Sequence, residues 1–177
     1  VVTSSCCGPT EHEYDRRGLL VSIKDALGNV SRYEWDEGYN LVSVRDKGGH
    51  TRRYEYGSDG LLKRTVDPLG NGTRATHEPR YGKLETLTDA LGRTTSMSYD
   101  GSGNLVQLTD AAGGVWRRAY DGYGWLREAT DANGHTREYG YDSLGRLTRV
   151  TDPLGRTTRY EYDGYGRLAR RVDAKGR

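Results

Sequence analysis

An aspartate followed three residues later by a glycine recurs at Asp25, Asp46, Asp67, Asp89, Asp110, Asp131, Asp152 and Asp173, at steps of 21 residues with one of 22. The matching glycines are Gly28, Gly49, Gly70, Gly92, Gly113, Gly134, Gly155 and Gly176. Five residues before each aspartate stands a leucine: Leu20, Leu41, Leu62, Leu84, Leu105, Leu126, Leu147 or Leu168. Six residues before the leucine stands an aromatic residue at Tyr14, Trp35, Tyr56, Tyr99, Tyr120, Tyr141 and Tyr162; His77 takes that slot at seven, beside the single inserted residue. Self-similarity at a fixed period is the mark of a repeat architecture, in which each unit is one supersecondary element.

The repeated letters are turn chemistry. Asp-x-x-Gly suits a type I turn, with an aspartate whose side chain bonds backbone two residues on and a glycine at the fourth position. Pro68 and Pro153 occupy the second position of such turns, where their fixed φ fits. A second set follows the aromatic residue, at 15–18, 100–103, 121–124, 142–145 and 163–166. With turns alternating every 10 or 11 residues, only strands of about five or six residues fit between them. In Thr158-Arg159-Tyr160-Glu161-Tyr162 the tyrosines fall on one face and the charges on the other, as a period of two demands. The returning strand is ambiguous. Leu20 and Ile23, Leu105 and Leu108, and Leu147 and Val150 are three apart, so either a bulge intervenes or both faces are partly covered. The expected fold is all-β: tandem antiparallel β-hairpins of about 21 residues, about 15 strands in all, in a sheet long enough to curl.

Composition decides whether such a chain folds. Phenylalanine is absent and glycine numbers 25, which leans towards disorder. Yet 27 basic residues face 25 acidic ones, and 14 tyrosines add apolar area. The chain lacks the uncompensated charge that keeps a coil open. It reads as folded around a thin, amphipathic core. No apolar run is long enough to span a bilayer as a helix, and the opening VVTSSCCGPT is not a secretory signal. Residues 1–13 read as a lead-in and 14–177 as a single domain of about eight repeats, cut from a longer chain.

The pattern Y-D-x-x-G-R-L-x-x-x-x-D-x-x-G-x-x-T-x-Y, clearest from Tyr141 to Tyr160, resembles the YD repeats of Rhs (rearrangement hotspot) proteins: bacterial Rhs effectors, toxin-complex C components and teneurins. The resemblance runs from Tyr14 onwards. It implies a segment of a spiral β-shell that, in bacterial members, encloses a C-terminal toxin domain. It further implies a secreted protein delivered out of a bacterial cell by a secretion system, the type VI route among them, with further repeats of the parent chain and the enclosed toxin as partners. Asp152-Pro153-Leu154-Gly155 opens like the self-cleaving aspartyl motif of the family, but the residues after it are another repeat.

Other chemistries fare less well. Paired-carboxylate hydrolysis needs two carboxyls in different environments across a cleft, whereas these aspartates are equivalent by repetition. Asp-x-x-Gly lacks the dense oxygen set of a calcium loop. His12, His50, His77 and His135 have no zinc-ligand spacing, and His77 fills an aromatic slot. Adjacent Cys6 and Cys7 read as incidental thiols rather than a strained vicinal disulfide or a soft-metal site. No catalytic residue, cofactor or metal is therefore expected, and no enzymatic activity. Arg/Tyr interleaving suggests single-stranded nucleic acid, but basic residues alternate with acidic ones instead of forming a stripe. Glycan binding is the serious alternative, with Trp35, Trp116 and Trp125 as platforms or as cross-strand pairs. The two outer strands, near Tyr14 and Leu168, carry few edge protections, so self-association through exposed sheet edges is also expected.

Overall fold

The computed structural model describes residues 9–177; Cys6 and Cys7 lie outside them. These residues form sixteen β-strands and no helix, one strand more than turn spacing suggests. The strands fall into two compact units. The first holds β1 (Glu11–Tyr14), β2 (Leu20–Lys24), β3 (Val30–Trp35), β4 (Leu41–Arg45), β5 (Thr51–Tyr56), β6 (Leu62–Val66), β7 (Gly72–His77) and β8 (Leu84–Thr88). The second holds β9 (Thr94–Tyr99), β10 (Leu105–Thr109), β11 (Val115–Tyr120), β12 (Leu126–Thr130), β13 (Thr136–Tyr141), β14 (Leu147–Thr151), β15 (Thr157–Tyr162) and β16 (Leu168–Val172). Within each unit every strand pairs antiparallel with the next in the chain.

A bulge sits in every hairpin that follows an aromatic residue, and it answers the ambiguity of the returning strand. Tyr14 faces Leu20 but Glu13 faces Ser22, so Val21 is the extra residue. Val42, Lys63, Glu85, Val106, Arg127, Thr148 and Ala169 are its counterparts. The skipped residue flips the phase of the strand. Leu20 and Ile23 thereby share the face of Tyr14 and His12, their direct partners. The same shift places Leu41 and Val44 with Trp35 and Tyr33. Each bulge also bends its strand and adds local twist.

No apolar side chain is buried among the described residues; the buried side chains are those of Ser22 and Ser43. The expected amphipathic core is thus a half-covered face, because a single sheet layer has nothing packed upon it. Direct side-chain pairs between strands carry the load instead. Leu108 faces Met97 and Trp116, Tyr139 faces Val150, and Thr65 and Thr73 share a hydroxyl contact of 2.6 Å. The opposite face is polar but not evenly alternating. Arg64 Nη1 donates to Glu55 at 3.0 Å while facing Arg74 across the next ladder, and Arg149 faces Arg159.

Candidate functional site

Every expected turn residue lies in a loop of one design. Gly28, Gly49, Gly70, Gly92, Gly113, Gly134, Gly155 and Gly176 each donate N–H to the carbonyl of Asp25, Asp46, Asp67, Asp89, Asp110, Asp131, Asp152 and Asp173 respectively, at 2.9–3.0 Å. All eight glycines have φ between 77° and 88°, the left-handed region that side chains resist. The aspartate does more than cap the turn. Asp25 Oδ1 accepts N–H from Leu27 at 2.9 Å and from Asn29 at 3.0 Å, and the Asp25 N–H donates to the Asn29 carbonyl at 2.9 Å.

The second set of turns repeats this geometry at Asp15, Asp36, Asp100, Asp121, Asp142 and Asp163. Two members depart from it. Gly57 replaces the aspartate, and Asp59 Oδ1 instead takes the Leu61 N–H at 3.0 Å. Glu78 opens the loop that absorbs the inserted residue: Gly82 N–H reaches the Glu78 carbonyl at 3.1 Å, and its carboxylate accepts N–H from Arg80, Tyr81 and Lys83.

A further side chain closes most loops, at the position after the left-handed residue. Asn29, Asn40, Asn71 and Asn104 give their amides to Asp25, Asp36, Asp67 and Asp100. His50 and His135 contact Asp46 and Asp131 at 3.2 Å. Arg146, Arg156 and Arg167 place Nε 2.7–2.8 Å from Asp142, Asp152 and Asp163. The signal Asp-x-x-Gly-Asn/His/Arg is written in the sequence and escapes a reading that stops at the glycine. These donors hold the carboxyls below the ordinary carboxylate range. For Asp25 the Asn29 side-chain amide is the main cause; for Asp163 it is the Arg167 backbone N–H, then its guanidinium.

Aromatic residues tie three repeats to the one before. The ladder between β2 and β3 ends at Ser22–Arg32, beyond which Trp35 Nε1 donates to the Leu20 carbonyl at 2.8 Å. Tyr120 and Tyr162 hydroxyls donate likewise to the carbonyls of Leu105 and Leu147, at 3.2 and 2.8 Å. Trp125 is held between Tyr123 and Tyr141, with ring centres 5.0 and 5.6 Å away. Partial burial pushes the Tyr141 hydroxyl pKa up.

The arrangement is built to hold shape. Each turn carboxylate is engaged by its own loop, and none is set across a cleft from a second in a different environment. Among the described residues no three His, Cys, Asp or Glu side chains gather as a metal centre requires. No helix of the structure is long and apolar enough to cross a membrane. His12 and His77 lie on the aromatic face opposite Ile23 and Leu84.

The profile of the RHS Repeat matches residues 14–51, 80–115, 120–157 and 141–177. No curated protein matches the chain. Among solved structures, one of the Photorhabdus luminescens Tc holotoxin pore aligns with a TM-score of 0.62 at 16% identity, over 92% of this chain and 12% of that one. A crystal structure of TcdB2-TccC3 without its hypervariable C-terminal region aligns at 0.54 and 18% identity, over 94% of this chain and 11% of that one. The fold is therefore shared with Tc toxin components, of which this chain spans about an eighth. By the repeat profile that matches most of its length, the chain belongs to the RHS-repeat family.

Proposed function

We propose that this chain is a length of structural wall, in a shell that encloses a toxin domain for delivery out of a bacterial cell by a secretion system. Residues 14–177 act as one repeat domain behind a lead-in of residues 1–13, with further repeats of the parent chain as neighbours. Its aspartates and glycines, from Asp25 and Gly28 to Asp173 and Gly176, serve as turn-formers and perform no reaction. The observation that carries this reading is the uniform wall itself: the same bulged hairpin recurs with no fully buried apolar residue. Such a strip has area and two faces but no interior, which suits enclosure. Likeness to structures of a Tc holotoxin pore and of TcdB2-TccC3 supports the same reading.

Glycan display remains the second reading. Two of the three tryptophans argue against it as a repeated function, since Trp35 is tied to a carbonyl and Trp125 is sandwiched. Limited proteolysis of the parent protein, with its complete repeats and C-terminal domain, tests enclosure. The C-terminal domain is expected to survive protease inside the parent and to be cut when supplied alone. Equal cleavage rates refute it.

A further inference from the structure

In a tiled wall the repeated residues report what the wall needs, so positions that break the repetition stand out. On the aromatic face of the odd-numbered strands, the first position is Ser31, Thr73, Thr95 or Thr158 in four repeats, and the second is Tyr33, Tyr54, Met97, Tyr139 or Tyr160 in five. In β11 they are Trp116 and Arg118. In β13 the first is Arg137. Between these strands, β12 carries Ala129 where the other repeats carry Ile23, Val44, Thr65, Leu87, Leu108, Val150 or Arg171, all larger side chains.

Arg52, Thr65, Ala75 and Arg171 also vary in these slots, each apart from the others, whereas the register gathers Trp116, Arg118, Ala129 and Arg137 into one place. Ala129 faces Arg118 on one side and Arg137 on the other. Two strand spacings put the arginine backbones roughly 10 Å apart, a gap that two arginine side chains are long enough to span from either side. The short alanine leaves the floor between them low. The result is a cleft of about 180 Å³ with Trp116 and Pro153 along its sides. Neither Arg118 nor Arg137 has an ion-pair partner among the described residues. Asp131 and His135 also border the cleft, but they are engaged with each other at 3.2 Å.

We propose that this cleft binds one carboxylate-bearing ring, its carboxylate bridging the Arg118 and Arg137 guanidinium groups and its ring lying against the Trp116 indole. Guanidinium forks match a carboxylate in a way a point charge does not. An indole offers a face to a sugar ring or to an aromatic one. The cleft is smaller than the roughly 300–1,000 Å³ of drug-sized sites, so it takes a single ring and not a chain. The site lies wholly within the second unit and is independent of the shell role.

The test is calorimetric and tryptophan-fluorescence titration of the intact chain at low salt with glucuronate, benzoate and neutral glucose. Saturable binding of one or both acids, at least tenfold tighter than glucose, is expected, and the tighter acid identifies the source of the carboxylate. Ala129→Val restores the branched residue usual at that position and should leave the circular dichroism spectrum unchanged, yet weaken binding at least tenfold. Arg137→Gln should do the same. Arg52→Gln, which removes an arginine from the matching slot of β5 opposite Val44, should change nothing. Absence of saturation with both acids, equal affinity for glucose, or unaltered binding by Ala129→Val would overturn the proposal.

Discussion

Gly145 and Gly155 have nearly the same backbone, φ 79° and 77°, but not the same surroundings. A Cβ at Gly155 would meet nothing within 4 Å, whereas at Gly145 it would come within 2.7 Å of Trp125 Cζ2 and 2.9 Å of Cε2. Gly155→Ala therefore isolates the left-handed penalty, about 1–2 kcal/mol, reduced by the chain entropy that alanine removes from the unfolded state, about 0.4–1 kcal/mol. Gly145→Ala carries that cost plus an overlap with a ring that can give way only by disturbing its contacts with Tyr123 and Tyr141. Overpacking of this kind adds about 1–3 kcal/mol. The difference between the two variants cancels the backbone contribution and leaves the steric one. Urea unfolding followed by tryptophan emission reads both: Gly145→Ala should lose the larger midpoint and also shift the folded-state emission as the Trp125 stack opens. Equal destabilisation by the two variants, or a Gly155→Ala that costs nothing, would refute the loop geometry.

Acidification should unfold the chain. Carboxyls such as Asp25, Asp36, Asp163 and Asp173 have lowered pKa values in the fold, so their stabilisation is complete above the ordinary value of about 3.9 and is lost as pH falls through the lower folded values. Melting temperatures flat down to about pH 5 and falling steeply beneath it are expected; a flat profile to pH 2 would count against the engaged loops. Trp35→Phe keeps an aromatic ring but strips the bond to the Leu20 carbonyl together with part of the indole's area, for a loss of at least about 0.5–1.5 kcal/mol in denaturant unfolding; an unchanged midpoint would show that the carbonyl has another partner. The outermost strands carry opposite charge, Glu11 and Glu13 on β1 against Arg170 and Arg171 on β16, so light scattering should show head-to-tail association that added salt suppresses. A chain that stays monomeric at high concentration and low salt would contradict it.

The turns were legible because Asp, Pro and Gly announce backbone conformation directly. Strand length followed from turn spacing, and the tyrosine face from alternation within the strand. The bulge was half visible: Leu20 and Ile23 at a spacing of three mark a conflict with alternation, but only pairing shows that Val21 resolves it. The ties from Trp35, Tyr120 and Tyr162 to carbonyls one repeat back depend on strand neighbours, which no local pattern encodes. Tyr39 was invisible for another reason. It occupies the left-handed position of the Asp36 turn at φ 65°, the one non-glycine to do so among the described residues. Its N–H stands 3.4 Å from the Asp36 carbonyl where glycines stand at 2.9–3.1 Å; with tyrosine in the glycine slot the Asp-x-x-Gly pattern is absent, and strand pairing still enforces the turn. The arginine and tryptophan cleft was hidden by the repeat itself, since periodicity draws the eye to what recurs.

Because each strand in a unit contacts only the strands beside it in the chain, closing any one hairpin never waits for a distant segment. Such local topology folds quickly, and stability accumulates as a sum over neighbours. The same property governs how the strip comes apart under load. A pull on one terminus works on a single hairpin at a time, with the ladder to the next hairpin and bonds such as that of Trp35 as catches between one step and the next. Peeling in small increments of about one repeat, rather than one large rupture, is the mechanical behaviour this construction dictates. A translocating machine would meet a sequence of low steps instead of one high barrier.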